Sequence, residues 1–323
     1  MVEMKKSWNI RRQFIGMGMV RTVSVSACCL AKTSLILLVA ALSVACGSLN
    51  ARSVSSKSSG NRVYKFKSTE VTALLSTLAV DVRITDGGAA EAVVEMPSDE
   101  VAQCVVCELC GSALEIYPEE NADRRVLSRI DAAHPIKVTI CSSSFSAIST
   151  TAWSNIKCEN SRFGSSFDIN NTGQMNLSAT DIRLADRLEL NNTGTMRLAV
   201  RDIDAGRAVC INNTGSFKAS VRNIAAGSKF ELNNTGAITL GADRYACRNW
   251  VDNNAGRTDI AGRVEADRIE CNSAGLERLS LDIACRKLVV YTSGSGDIVF
   301  RGCADDVDVA STGNARVSTR EVE

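Results

Sequence analysis

The chain holds one histidine, His134, beside Pro135. That scarcity argues against multi-histidine zinc sites, paired acid–base histidines and histidine-based nucleophilic triads. Aromatic residues make up 5% and proline occurs three times. A thick aromatic core is therefore not expected, and the abundance of small and β-branched residues suits thin, closely stacked strands. Neither sign of charge dominates, with 37 Lys plus Arg against 36 Asp plus Glu, so no global charge favours nucleic acid as a partner. With 323 residues, 45% of them hydrophobic, the chain is long and apolar enough to bury a substantial core.

The N-terminus is organised for export. Lys5, Lys6, Arg11, Arg12, Arg21 and Lys32 accompany a single acid, Glu3, and the uncharged run 33–45 follows with 13 residues. That length fits a signal-peptide core and falls short of the roughly 20 residues of a membrane-spanning helix. The run ends in Leu42-Ser43-Val44-Ala45-Cys46-Gly47, which resembles a lipoprotein signal peptide. The resemblance implies cleavage before Cys46 and lipid attachment at its thiol, although Ser43 stands where that pattern prefers leucine. Cleavage by an ordinary signal peptidase near Ala45 or Ala51 is the alternative. Arg11-Arg12-Gln13-Phe14-Ile15 also resembles a twin-arginine signal, and otherwise belongs to a long basic leader. Residues 46–61 are rich in serine, as expected of a flexible tether. The expected organisation is a signal peptide over 1–45, a tether over 46–61, a strand-rich part over 62–150 and a repeat region over 151–323.

A repeat governs the rest. Asn-Asn-Thr-Gly recurs at residues 170–173, 191–194, 212–215 and 233–236, always 21 residues apart, and degenerate copies follow at Asn253-Asn254-Ala255-Gly256, Asn272-Ser273-Ala274-Gly275, Thr292-Ser293-Gly294 and Ser311-Thr312-Gly313. Eight glycines thus mark one frame: Gly173, Gly194, Gly215, Gly236, Gly256, Gly275, Gly294 and Gly313. Apolar residues alternate with polar ones on both sides, as in Leu188 and Leu190 before a turn and Met196 and Leu198 after it. A third apolar patch lies midway, at Ile182 and Leu184, then Ile203 and Ala205. This is the two-residue period of strands with one buried face. A rung of this length cannot bury its own face, so the rungs must stack, and the expected fold is all-β: a parallel β-helix-like solenoid with a strand-rich N-terminal layer. The leucine-to-asparagine spacing of leucine-rich repeats is not reproduced. Asparagine tolerates left-handed backbone and glycine adopts it freely, so the tetrapeptide reads as a sharp corner with positive φ at glycine.

The strands expected at Val80-Asp81-Val82-Arg83-Ile84, Leu114-Glu115-Ile116 and Ile136-Lys137-Val138-Thr139-Ile140, followed by glycine-punctuated rungs, resemble the bacterial putative auto-transporter adhesin "head GIN" domain over most of residues 64–317. The resemblance implies a β-helical envelope domain and carries no catalytic residues with it.

Because some parallel β-helices cleave polysaccharides, the acids need weighing. Glu189, Glu231, Glu270 and Asp308 fall in one outward column, interrupted by Cys210, Val251 and Val289. Another column reads Asn176, Arg197, Lys218, Thr239, Asp259, Arg278, Asp297, Arg316. Mixed signs at rung spacing describe a solvated face. Cys104, Cys107 and Cys110 resemble part of an iron–sulfur run, but the fourth ligand and the following proline are missing, and a spacing of three alternates faces in a strand. Ten cysteines follow Cys46, several at inward positions where cysteine serves as a small hydrophobe. Cys285 and Cys303 are expected at equivalent places of successive rungs, in register to touch. The expectation is an exported, lipid-anchored cell-envelope protein, periplasmic or on the surface, acting as a non-enzymatic binding or structural module. It needs no cofactor and no metal, and its ligand would be an envelope or extracellular protein or glycan. A carbohydrate-active β-helix enzyme, lyase or hydrolase, is the alternative.

Overall fold

A computed structural model describes residues 54–58, 61–67, 70–86, 89–159 and 163–322. The expected signal peptide, Cys46 and most of the tether lie outside the described residues. The strands are β1 (Val54–Ser58), β2 (Asn61–Lys67), β3 (Ala73–Ser76), β4 (Val80–Thr85) and β5 (Glu91–Glu95), then a short helix α1 (Asp99–Cys104), β6 (Val105–Cys110) and β7 (Ala113–Pro118). A one-turn helix α2 (Arg124–Leu127) leads to β8 (Ile136–Cys141), β9 (Phe145–Thr150), β10 (Trp153–Glu159) and β11 (Phe163–Asn171). The rungs proper are β12 (Gln174–Leu184), β13 (Arg187–Asn192), β14 (Thr195–Ala205), β15 (Ala208–Asn213), β16 (Ser216–Asn234), β17 (Ala237–Asn254), β18 (Arg257–Ser273), β19 (Leu276–Thr292), β20 (Ser295–Ser311) and β21 (Asn314–Val322).

The rungs stack as parallel strands with like over like. Met175 pairs with Met196, Met196 with Phe217 and Phe217 with Ile238, while Leu188, Val209, Phe230 and Trp250 form a second column. Each side chain in these columns is at most 1% exposed, worth roughly 1.5–3 kcal/mol apiece on burial. The expected β-solenoid is the observed fold. Its three apolar patches per rung all face inward, Ile182, Ile203 and Ile224 included.

Rungs shorten along the chain, and the pairing register shows where. Ala226 opposes Cys247 but Lys229 opposes Asn249, so the first residue is lost at the corner holding Gly227. Gly241 opposes Ala261 but Arg244 opposes Arg263, so the second is lost beside Gly262, whose φ is +143°. The Asn-Asn corner loses nothing.

The N-terminal layer ends the stack by changing strand direction. Strands β10, β4 and β8 are parallel neighbours, but β5 runs antiparallel to β8, β2 to β5 and β1 to β2. On another face β3 is parallel to β7, and β6 is antiparallel to β7 through a hairpin at Gly111, φ +64°. Helix α1, started by the Ser98 hydroxyl accepting from Val101 N at 3.2 Å, presents buried Val101 and Ala102 to this end. The expected strands of the lead are all present, whereas α1 was not anticipated: Asp99 and Glu100 in its first turn suit a helix start, a signal too short to stand out against the alternation around it.

Two register expectations need correction. Strands β19 and β20 pair at an unbroken offset of 19, so Cys285 opposes Ala304 and Cys303 opposes Ala284. Counting from the two glycines gave offsets of ten and nine, and it is the constant offset that holds. Cys303 therefore faces outward and is exposed, and no disulfide joins it to Cys285. The alternation that buries Val290 would bury its file partner Val309 as well, but Val309 is 37% exposed, because β21 pairs over only the first part of β20, up to Gly302.

Candidate functional site

The Asn-Asn corner is the most regular surface feature of the chain, and two amide ladders build it. The second asparagine of each pair points inward. Asn171 Nδ2 donates to Asn192 Oδ1, Asn192 to Asn213, Asn213 to Asn234 and Asn234 to Asn254, at 2.7–3.1 Å. The same amides donate to the carbonyls of Gly173, Gly194, Gly215 and Gly236, tying each bend to the strand before it. The first asparagine of each pair is half-buried on the outside and forms a ladder of opposite sense. Asn191 donates to Asn170, Asn212 to Asn191, Asn233 to Asn212, Asn253 to Asn233 and Asn272 to Asn253, at 2.8–3.0 Å. One ladder points its donors toward the C-terminal rungs and the other toward the N-terminal rungs. The inner ladder's first acceptor, Asn171 Oδ1, is buried without a donor among the described residues.

The eight marker glycines sit at these bends, but not for the reason expected. None has positive φ; among the described residues that conformation belongs to Gly111, Gly262, Gly296 and Gly302. What requires glycine is proximity. A Cβ on Gly194 would overlap the carbonyl oxygen of Gly173, and the same clash with the preceding rung's backbone recurs at Gly173, Gly215, Gly236, Gly256, Gly275, Gly294 and Gly313. The residue's use here is close backbone approach.

Outside the corner, the surface is a set of polar columns. The series Asn176, Arg197, Lys218, Thr239, Asp259, Arg278, Asp297, Arg316 is one continuous file of paired residues. So is Asp168, Glu189, Cys210, Glu231, Val251, Glu270, Val289, Asp308. Its acids are engaged by cations on their own strands: Arg187 with Glu189 at 3.4 Å, Lys229 with Glu231 at 2.9 Å, Arg268 with Glu270 at 2.9 Å. Glu189 and Val289 are buried although they point outward, Glu189 under the Arg187 with which it pairs. On the segment between the corners, neighbouring files exchange ion pairs: Arg201 meets Asp181 at 2.9 Å and Asp202 at 3.2 Å, Arg222 also holds Asp202, and Arg244 and Arg263 hold Glu265. The Arg222 guanidinium keeps the Asp202 carboxyl below its ordinary range. Such exposed pairs are screened by solvent and contribute little individually.

The cysteine run is dispersed by the fold. Cys104 closes α1, while Cys107 and Cys110 lie in the β6–β7 hairpin, and burial pushes the Cys107 thiol up to about 12. The expectation that all three lie in one strand is therefore corrected at Cys104. Among the described residues no group of three His, Cys, Asp or Glu side chains is placed to hold a metal ion.

One feature went unread in the sequence. Asp252 stands where the neighbouring rung has Leu232, and Glu277 stands where earlier rungs have Phe217 and Ile238. Both point into the core, at 0% and 1% exposure. Following each inward column through the degenerate repeats would have exposed the break.

Comparison with known proteins agrees with this architecture. Residues 251–323 match the family described as "Putative auto-transporter adhesin, head GIN domain". The likeness expected over most of 64–317 is thus found in the last rungs. The search of curated proteins gives no match. A crystal structure titled as a putative lipid binding protein from Parabacteroides distasonis shares 16% identity, covering 80% of this chain and 96% of that one with a TM-score of 0.50. It shows a shared fold. A putative adhesin from the same organism aligns at 14% identity over 77% of this chain and 97% of that one, TM-score 0.44. Another from Bacteroides fragilis aligns at 13% over 80% and 97%, TM-score 0.40.

Proposed function

We propose that the protein is an exported, lipid-anchored component of the cell envelope whose solenoid is a non-enzymatic module, binding or structural, presenting its polar files to a protein or glycan. The observation that carries this reading is the uninterrupted file of outward residues along the stack. Successive rungs are held in one register by backbone pairing and by two amide ladders, so a repeating surface is rigid without any ligand. A rigid backbone array costs less entropy to bind than a flexible one. The adhesin-family match in residues 251–323 supports the same reading. The basic leader, the apolar run 33–45 and Cys46 with its serine-rich tether support export and anchoring.

Two measurements test it. Metabolic labelling with a palmitate analogue marks the wild-type chain and not Cys46→Ala; equal labelling of both ends the anchoring part. Purified protein incubated with envelope polysaccharides is expected to bind without shortening them, and depolymerisation would replace the module reading with the enzymatic one.

A further inference from the structure

Apart from the inner asparagine ladder and a few small hydroxyls, the inward columns are apolar until the degenerate rungs, where two acids enter them. Asp252 on β17 lies in file between Leu232 and Cys271, and Glu277 on β19 lies in file between Thr258 and Gly296. The two carboxyls act on one another across β18, and the oxygens of Glu277, like those of Asp252, are buried with no hydrogen-bond partner among the described residues. The groups that face the pair are the Tyr245 hydroxyl from β17, the Cys271 thiol and the Thr258 and Ser273 hydroxyls from β18, with Cys285 of β19 and the outward Glu270 acting on Cys271. No lysine, arginine or histidine is among them.

Two adjacent carboxylates without a cation, in a core from which water is excluded, cannot both be ionised at tolerable cost. We infer that Asp252 and Glu277 form a proton-sharing carboxyl pair inside the solenoid, which makes the hold between the rungs β17 to β19 depend on pH and weakens it as the surroundings turn alkaline. One proton shared between the two oxygens that face each other leaves a single charge on the pair. Burial, and then the neighbouring acid, raise the Asp252 carboxyl, and burial raises Glu277. The direction of the effect follows. The folded chain keeps a proton that the unfolded chain has released once the pH exceeds the ordinary carboxyl range of about 4. Stability from the pair is therefore complete below that range and drains away as pH rises toward the folded value.

The test compares the wild type with the double variant Asp252→Leu/Glu277→Leu, which removes both carboxyls and restores apolar files, and with Asp252→Asn, which keeps a neutral donor to Glu277 but no titrating proton of its own. Urea unfolding is followed from about pH 4 to 9. Relative to the double variant, the wild-type unfolding constant should rise by up to about tenfold per pH unit while one extra proton is held by the folded chain. Asp252→Asn should lose that excess slope. Hydrogen exchange should place the alkaline loss of protection in residues 250–279. Identical pH slopes for all three chains, or a wild type that gains on the double variant as pH rises, would overturn the inference. Should the variants not fold, infrared spectroscopy of the Glu115→Gln chain decides, since burial also raises the Glu115 carboxyl on the cap. A protonated-carboxyl carbonyl band must persist at about pH 7, where exposed carboxyls are ionised, and its absence refutes the shared proton.

Discussion

Removing one inner asparagine should cost far more than removing its outer neighbour, although the two residues are adjacent and chemically identical. Asn213 is 1% exposed. Its amide donates to Asn234 Oδ1 at 2.9 Å, Gly215 O at 3.0 Å and Ala237 O at 3.1 Å, and its oxygen accepts from Asn192 at 2.7 Å. Alanine at this position abolishes these bonds where water cannot replace them. The neighbours are not stranded, since Asn192 retains Gly194 O and Ser216 O, and Asn234 Oδ1 retains Gly236 N. The loss is then the net worth of about three hydrogen bonds, near 1 kcal/mol each, plus a small void, giving about 3–4 kcal/mol. Asn212 donates to Asn191 and accepts from Asn233 at a half-buried surface, where solvent compensates, so Asn212→Ala should cost about 1 kcal/mol or less. Urea unfolding followed by far-ultraviolet circular dichroism measures both, provided the dependence on denaturant is unchanged. Equal losses for the two variants would refute the division into a structural inner ladder and a solvated outer one.

Gly215→Ala should destabilise by more than about 2 kcal/mol, because its Cβ meets the Gly194 carbonyl oxygen, whereas Ser216→Val, at an exposed strand position, should stay within about 1 kcal/mol. Equal melting temperatures would contradict the close-approach account, and because φ is not positive there, a D-alanine at 215 should give no rescue. Iodoacetamide applied to the native protein should alkylate Cys303, which is exposed, and spare Cys271 and Cys158, both buried, the latter with its thiol pushed up to about 12. Mass spectrometry showing Cys271 modified before Cys303 would place the β19–β20 register in error.

The solenoid was legible because its signal is local and repeated: an alternation such as Val209, Ile211 and then Phe217 states both the strand and its buried face, and four identical turns fix the frame. The cap was legible as strands but not as topology, since nothing in Ala92-Val93-Val94 says whether it runs with or against Val138. The corner glycines were found for an incomplete reason. A positive φ and a close backbone approach both demand glycine, and a single chain does not distinguish them. The carboxyl pair escaped because Asp252 and Glu277 fall in degenerate rungs, where a polar residue beside an altered turn reads as a shift of face, and only the pairing of Asp252 with Cys271 shows that the frame is intact.

The loss of residues at the Gly227 and Gly262 bends, and never at the ladder corner, bears on how such a chain can change over time. A rung is a unit of translation along the stack, with a donor and an acceptor left over at each face of both ladders. Duplicating residues 195–215 would insert a copy whose inner amide accepts from the rung before it and donates to the rung after it, and whose outer amide does the reverse, leaving no amide without a neighbour and no strand out of register. Trimming a residue elsewhere in a rung is absorbed at the other bends. Length is thus free to drift by whole rungs, while the corner acts as a ratchet that admits growth only in frame.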